Sequence, residues 1–172
     1  MTARTTGTTP TTRTTPTTRT TRTTRTTRTT RLDDGVRSAL GALSAAAKRG
    51  LGDPALAELV QIRASQLNHC AFCLDMHLGI ARKEGVGERQ LDLLAAWEEA
   101  EGVFDARERA ALALAEAVTV LTEGFVPDEV YEEAARHFDA GGLAHLLALI
   151  TAINSWNRLM VGRRIPPGST QW

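Results

Sequence analysis

Several things are missing from this sequence, and each absence narrows what the chain can be. No apolar run approaches the roughly 20 residues that a membrane-spanning helix needs. The longest, "GGLAHLLALITAI", is shorter and holds His145. Residues 1–31 carry positive charge but no apolar segment, so no secretory leader is read there. These two absences point to a soluble, cytoplasmic protein with no membrane partner. Strand signals are scarce: β-branched runs are few, no segment alternates, and no Asn-Gly turn joins two apolar runs. No flavin, haem or nucleotide signature is present, so no bound cofactor is expected. Cysteine is nearly absent, with two in 172 residues. Two cysteines make no disulfide framework for a cytoplasmic chain of this size. They leave redox chemistry, a metal, or plain core packing.

Net charge is also missing, but only in the total. Seven of the twenty basic residues lie in 1–31, which has no acid; the remaining thirteen face twenty acids. A basic tail is therefore joined to an acidic body. From Pro10 to Arg31 the tail is a strict triplet, Thr-Thr followed by Pro or Arg, with third positions Pro10, Arg13, Pro16, Arg19, Arg22, Arg25, Arg28 and Arg31. Almost nothing apolar is available to offset ordering entropy, so 1–31 is expected to be disordered. A polyproline-II excursion would align its arginines on one edge and give a weak strip for nucleic acid or another polyanion. The plainer reading is a tolerated low-complexity terminus.

From Leu32 onward the pattern is helical, giving one domain over 32–172. A first helix runs to about Gly50. The second opens at Asp53 as N-cap with Pro54 at the first helical position, and Leu56, Leu59, Val60, Ile62 and Leu67 supply its apolar stripe. The third carries "CAFCLDMHLGIARKEG" and stops at Gly85; a short fourth follows. The fifth starts with an Asp105/Glu108 capping pattern and is expected to reach Gly124. The sixth begins at Pro127, and the last and most apolar ends before Pro166-Pro167. The expected fold is an all-α bundle of six to seven helices, with the fifth and seventh at its centre. The last helix is apolar most of the way round, which suggests burial on more than one side and a homo-oligomer.

The two cysteines are not scattered. In "NHCAFCLDMH" Cys70, Cys73 and His77 are three and four residues apart, so all three fall on one helix stripe. Asn68 reads as an N-cap or pre-cap residue, which puts Cys70 in the first turn, where unpaired N–H groups and the helix dipole favour thiolate. His77, one turn after Cys73, can exchange a proton with it. These are the parts of a dithiol redox centre: an attacking thiolate, a second thiol and a base. A zinc site using Cys70, Cys73, His77 and His69 or Glu58 is a competing reading, weakened because structural zinc usually draws ligand pairs from separate segments. Two structural cysteines placed by chance are the third.

The stretch "ELVQIRASQLNHCAFCLDMHLGIARKEG" resembles the core motif of the carboxymuconolactone decarboxylase and alkylhydroperoxidase D (AhpD-like) family: Glu58, eleven residues, Cys70-x-x-Cys73, three residues, His77. "RERAALALAEAVT" and "INSWNRLMVGRR" resemble the family's later helices, so the likeness covers about 35–165. The resemblance implies an AhpD-like helical bundle and a thiol peroxidase of the peroxiredoxin type. Carried over, Cys73 attacks an alkyl or hydrogen peroxide and becomes a sulfenic acid, and Cys70 closes the disulfide. Glu58 and His77 relay protons through a water. An external dithiol, lipoyl-type or thioredoxin-type, would restore the thiols. Two alternatives share the fold: a disulfide-exchange or redox-sensing protein using the same cysteines, and a decarboxylase, which does not use the Cys-x-x-Cys pair.

The sequence departs from the family's best-known members at one point. They carry a histidine between the cysteines, beside the second; here Phe72 stands there, and His69 precedes the first. The nucleophile is also contested by principle. Helix position favours Cys70, and the placement of His77 favours Cys73, which is the expectation adopted. Other residues are not promoted. His137 and His145 read as surface and core histidines. Arg63 could serve a thiol or pair with Glu58 or Asp75. Trp97, Trp156 and Met160 read as packing, Phe72, Leu74 and Met76 as flanks of an apolar peroxide entry, and Asp75 as a solvated charge.

Overall fold

The computed structural model describes residues 26–28 and 31–170. Among them are seven α-helices and no strand: α1 (Asp34–Leu51), α2 (Pro54–Leu67), α3 (Ala71–Lys83), α4 (Glu88–Leu93), α5 (Ala106–Thr119), α6 (Asp128–His137) and α7 (Ala140–Arg163), with a 3-10 turn, Leu94–Ala96, continuing α4. The expected all-α fold is what the chain adopts.

Aspartates start four of the helices. Asp33 accepts from the N–H groups of Gly35 and Val36, Asp53 from Leu56 and Asp139 from Gly142, while Asp105 and Glu108 complete a reciprocal box. Each satisfies donors that the first turn leaves open, worth about 1 kcal/mol apiece. The fifth helix ends at Thr119 rather than Gly124. The β-branched run Val118-Thr119-Val120 is a poor place to continue a helix, and Gly124 instead takes φ +96° in the turns that follow.

The centre of the bundle is α2, not α5 and α7 as the sequence suggested. It packs against α1, α3, α5 and α7. Leu56, Ala57 and Val60 join one core with Ala111 and Leu114 of α5 and Leu146 and Ile150 of α7. Leu59 and Ile62 join a second with Ala81 of α3, Leu91 and Leu94 around α4, and Leu112 of α5. Each large aliphatic group so buried contributes about 1.5–3 kcal/mol. With both flanks covered, the polar residues of α2 are buried too: Glu58, Gln61 and Ser65. The apolar circumference of α7 likewise finds cover within the chain, from α1, α2 and α5. Gly50 permits the approach of α1 to α7, because a methyl group there would run into the His145 imidazole.

A third, smaller cluster gathers Cys70, Phe72, Cys73, Met160 and Ile165, with Trp156 against it. Two terminal segments close over this end of the molecule. Beyond α7, Gly168 N–H donates to Asp75 at 2.8 Å. Within the expected tail, Arg28 donates from its backbone to Arg163 O and from its guanidinium to Gly162 O, both at 2.9 Å. The rest of the triplet repeat before Thr26, and residues 29 and 30, lie outside the described residues.

Candidate active site

The turn between α2 and α3 sets the cysteines. Asn68 is the C-terminal cap of α2, and His69 takes a left-handed φ of +54°. Cys70 is itself the N-cap of α3, one position earlier than the sequence placed it; its Sγ accepts the Cys73 N–H at 3.3 Å. The Asn68 amide does not cap α3. It reaches α7, shared between Asn154 Oδ1 at 2.8 Å and Asn157 Oδ1 at 3.1 Å. Cys70 and Cys73 are joined by a disulfide, with Cα atoms 5.3 Å apart. Both are almost fully buried.

One turn on, His77 brings Nδ1 to 2.7 Å from Glu58 Oε2. Glu58 is completely buried, and its other oxygen accepts from Lys48 Nζ of α1 and from Gln61 Nε2 at 3.1 Å. Burial pushes the Glu58 carboxyl up, but hydrogen bonds and charge from His77, then from Lys48, outweigh it and hold the group below the ordinary carboxylate range. An ionised carboxylate only accepts, so Nδ1 of His77 is the donor and Nε2 is the nitrogen left for proton exchange.

His77 and Cys73 line the same cavity of about 170 Å³, whose other walls are Phe72, Met76, Ile153, Trp156 and Met160. Ser44 of α1 adds a hydroxyl that accepts from Trp156 Nε1 at 3.0 Å. A second cavity, about 260 Å³, touches Cys70 instead and is walled by His69, Arg164, Val161 and Ile165. Met160 belongs to both and divides them.

The structure brings together all four residues singled out from the sequence: Glu58, Cys70, Cys73 and His77. Of the anticipated flanks, Phe72 and Met76 line the Cys73 cavity, while Leu74 packs into the second core. Trp97 and Met160 are core, as read, and Trp156 packs against the third cluster; Met160 and Trp156 also wall the cavity. Arg63 pairs with Glu116 at 2.6 Å, not with Glu58, Asp75 or a thiol. Asp75 holds Gly168 and so is not a merely solvated charge. Among the described residues no cluster of three or more His, Cys, Asp or Glu is arranged to hold a metal ion. Sequence reasoning missed Lys48 and Ser44. They lie on α1, and only helix pairing brings them to the site; no local spacing signals them.

Comparison with known proteins gives the family and the fold. The sequence model of the Carboxymuconolactone decarboxylase family matches residues 34–117. The uncharacterized protein YdfG of Bacillus subtilis (strain 168) is 43% identical over 104 residues, covering 60% of this chain and 70% of its own. The uncharacterized protein YnjA of Escherichia coli (strain K12) is 36% identical over 120 residues, 69% of this chain; the match spans 64% of YnjA. A crystal structure from Agrobacterium tumefaciens superimposes with a TM-score of 0.75 at 33% identity, covering 80% of this chain and 93% of that one. It is described as a protein of unknown function, suggested to be the antioxidant defence protein AhpD. An uncharacterized peroxidase-related protein from Silicibacter sp. TM1040 shares the fold, with a TM-score of 0.66 at 19% identity, over 81% of this chain and 73% of its own.

Proposed function

The chain belongs to the carboxymuconolactone decarboxylase family, and within it we propose a thiol-dependent peroxidase that works through the Cys70/Cys73 pair. One observation carries the reading: Cys73 shares an apolar cavity with His77, while Cys70 is bonded to it from the other side. A hydroperoxide in that cavity meets the Cys73 thiolate, formed when His77 takes the thiol proton. The thiolate attacks the terminal oxygen, the O–O bond breaks, and the departing alkoxide takes the proton back from His77. Cys73 is left as a sulfenic acid. Cys70 thiolate then attacks the Cys73 sulfur, hydroxide leaves and is protonated to water, and the disulfide closes. Glu58 holds the imidazole through Nδ1 and stabilises its cation. Lys48 shares the same carboxylate through its other oxygen.

The activity is assigned to residues 32–172. Each turnover ends in a disulfide, so an external dithiol, lipoyl-type or thioredoxin-type, is required, which suits a reducing compartment such as the cytoplasm. No helix among the described residues is long and apolar enough to cross a membrane.

Intact-mass spectrometry of the reduced protein with one equivalent of a small alkyl hydroperoxide tests the reading. Wild type is expected to lose two hydrogens within seconds, and Cys70→Ser to retain a trappable sulfenic acid. A sulfenic acid only in Cys73→Ser would reverse the two roles. No reaction in minutes would reject the peroxidase and leave a disulfide-exchange protein, a reading favoured by the separate opening at Cys70.

A further inference from the structure

The two cavities divide the labour of the disulfide. One touches Cys73 and His77 and is apolar; the other touches Cys70 and is walled by His69 and Arg164. Neither His69 nor the Arg164 guanidinium has a carboxylate partner among the described residues. The nearest acid along α3, Asp75, is occupied by the Gly168 N–H. The rim is fixed in place, since Arg164 sits in a left-handed turn after α7 and Thr27 Oγ1 donates to its carbonyl. Cys70 is only 2% exposed, so the mouth and not the outer surface gives access to its sulfur.

We infer that the Cys70 cavity is the reductant's entrance, and that it takes a thiol carried on a slender chain with an anionic group near the sulfur. The inference rests on the dithiol reading of the site. The incoming thiol gives its proton to solvent, its thiolate attacks Cys70 Sγ, the Cys70–Cys73 bond breaks, and Cys73 leaves as a thiolate on the side of His77, where a proton from solvent can reach it by way of the imidazole. A second thiol of the reductant attacks the mixed disulfide and releases Cys70. Two electrons pass to the protein, and the reductant departs as its disulfide. Arg164 and His69 steer the anion and hold it while the sulfurs meet. The peroxide cavity stays clear throughout.

The experiment starts from full-length protein oxidised with diamide, so that no peroxide chemistry is needed. Reduction is timed with 3-mercaptopropionate, 2-mercaptoethanol and cysteamine, each rate expressed per thiolate and corrected for thiol basicity. The expected order is anionic, neutral, cationic, with a spread of about tenfold at low ionic strength that shrinks in high salt. Arg164→Gln should collapse the spread and Arg164→Glu invert it, with circular dichroism showing the helices intact. Acid-quenched intermediates should carry the mixed disulfide on Cys70. Equal rates for the three thiols, a spread untouched by Arg164→Gln, or an adduct on Cys73 would each overturn the inference. A protein that ranks the thiols but ignores hydroperoxide would keep this inference and lose the peroxidase reading. The opposite pair of results would do the reverse.

Discussion

Two buried polar seams border α2, and they are made of opposite materials. Toward α1 and α3 the seam is ionic: Lys48, Glu58 and His77, with Gln61 beside them. Toward α7 and the C-terminal end of α5 it is mainly amide and hydroxyl, with Arg158 donating to Asn154 Oδ1 at 2.8 Å from its edge; α2 also meets α5 through the Arg63–Glu116 pair. Asn157 donates to Ser65 at 3.0 Å, Asn154 to Thr119 at 2.9 Å, and Asn68 bridges to both asparagines. Groups of the second kind do not titrate between pH 3 and 10. They can fix the turn that carries Cys70, and they can do little else. A seam of the first kind costs desolvation and gains a movable proton. Under the proposed function, one seam holds the cysteines and the other serves them, and the two should fail in different ways when cut.

The largest expected effect comes from cutting the ionic seam at its middle. Glu58→Gln should lower the rate of Cys73 oxidation by hydroperoxide at least about a hundredfold, the low end for loss of acid–base assistance. The fall in thermal midpoint should be small, because Lys48 is 29% exposed and can turn to water. Stopped-flow oxidation and a melting curve measure the two together. The same variant has a pH signature. The folded Glu58 carboxyl lies below its ordinary value of 4.5. Its ionised form therefore contributes stability above that pH, and the contribution is lost as the pH falls through the lower folded value. Glu58→Gln should remove this part of the acid-side loss, flattening stability below pH 4.5. A variant that melts far lower yet reacts with peroxide at the wild-type rate would erase the contrast between the seams.

The amide seam should give the mirror result. Asn157→Ala removes the donor to the buried Ser65 hydroxyl and one acceptor of the Asn68 amide, which keeps Asn154, and leaves a gap inside the bundle. The expected cost is about 2 kcal/mol, or about 4–8 °C in the midpoint for a chain of this size. The oxidation rate per folded molecule should stay close to wild type, read at a temperature where both proteins are folded.

Lys48 sharpens the comparison from the rim of the ionic seam. In Lys48→Met the Glu58 oxygen that Lys48 engages keeps only Gln61, and the carboxylate is freer to turn from His77. The rate of Cys73 oxidation should fall by about tenfold, a modest share of what acid–base assistance supplies. Lys48→Arg should restore most of it. An unchanged rate would mean that Lys48 only packs.

How much of this could be read in advance follows from where the residues lie. Cys70, Cys73 and His77 share one helix stripe, and Glu58 sits on the helix just before, so spacing alone registers them. The starts at Asp53 and Asp105 are visible because a cap is a local event between neighbours. Lys48 is as essential to the charge balance as His77, yet it looks like any basic residue in the last turn of a helix. What selects it is the packing of α1 over α2, which no periodicity states. The same reason hid the central place of α2: its apolar residues do not form a single face, because both flanks are covered by different cores. The sequence places Asn68 as the N-cap of the next helix or a residue just before it; it stands before the cap, Cys70, and the capping half of that reading fails for a related reason. A short amide fits a cap or an interhelical bond equally well, and α7 supplied the second option.

The smallest expected effect lies in the cavity that the two seams flank. Ser44 donates to Leu40 O within α1 and accepts from Trp156, so its hydroxyl pins the indole that forms one wall. In Ser44→Ala the indole N–H loses the Ser44 oxygen, but Trp156 is only half-buried and water can replace that oxygen. Stability should change by less than about 1 kcal/mol. The consequence should appear in selectivity. A loosened wall should admit a bulky aryl hydroperoxide more readily and leave the rate with hydrogen peroxide almost unchanged, shifting their ratio by about two- to threefold, the scale of a few tenths of a kcal/mol. An equal change for both peroxides would place the effect on the cysteine chemistry, not on the wall. Ser44 would then belong with the ionic seam, whose α1 side it shares with Lys48.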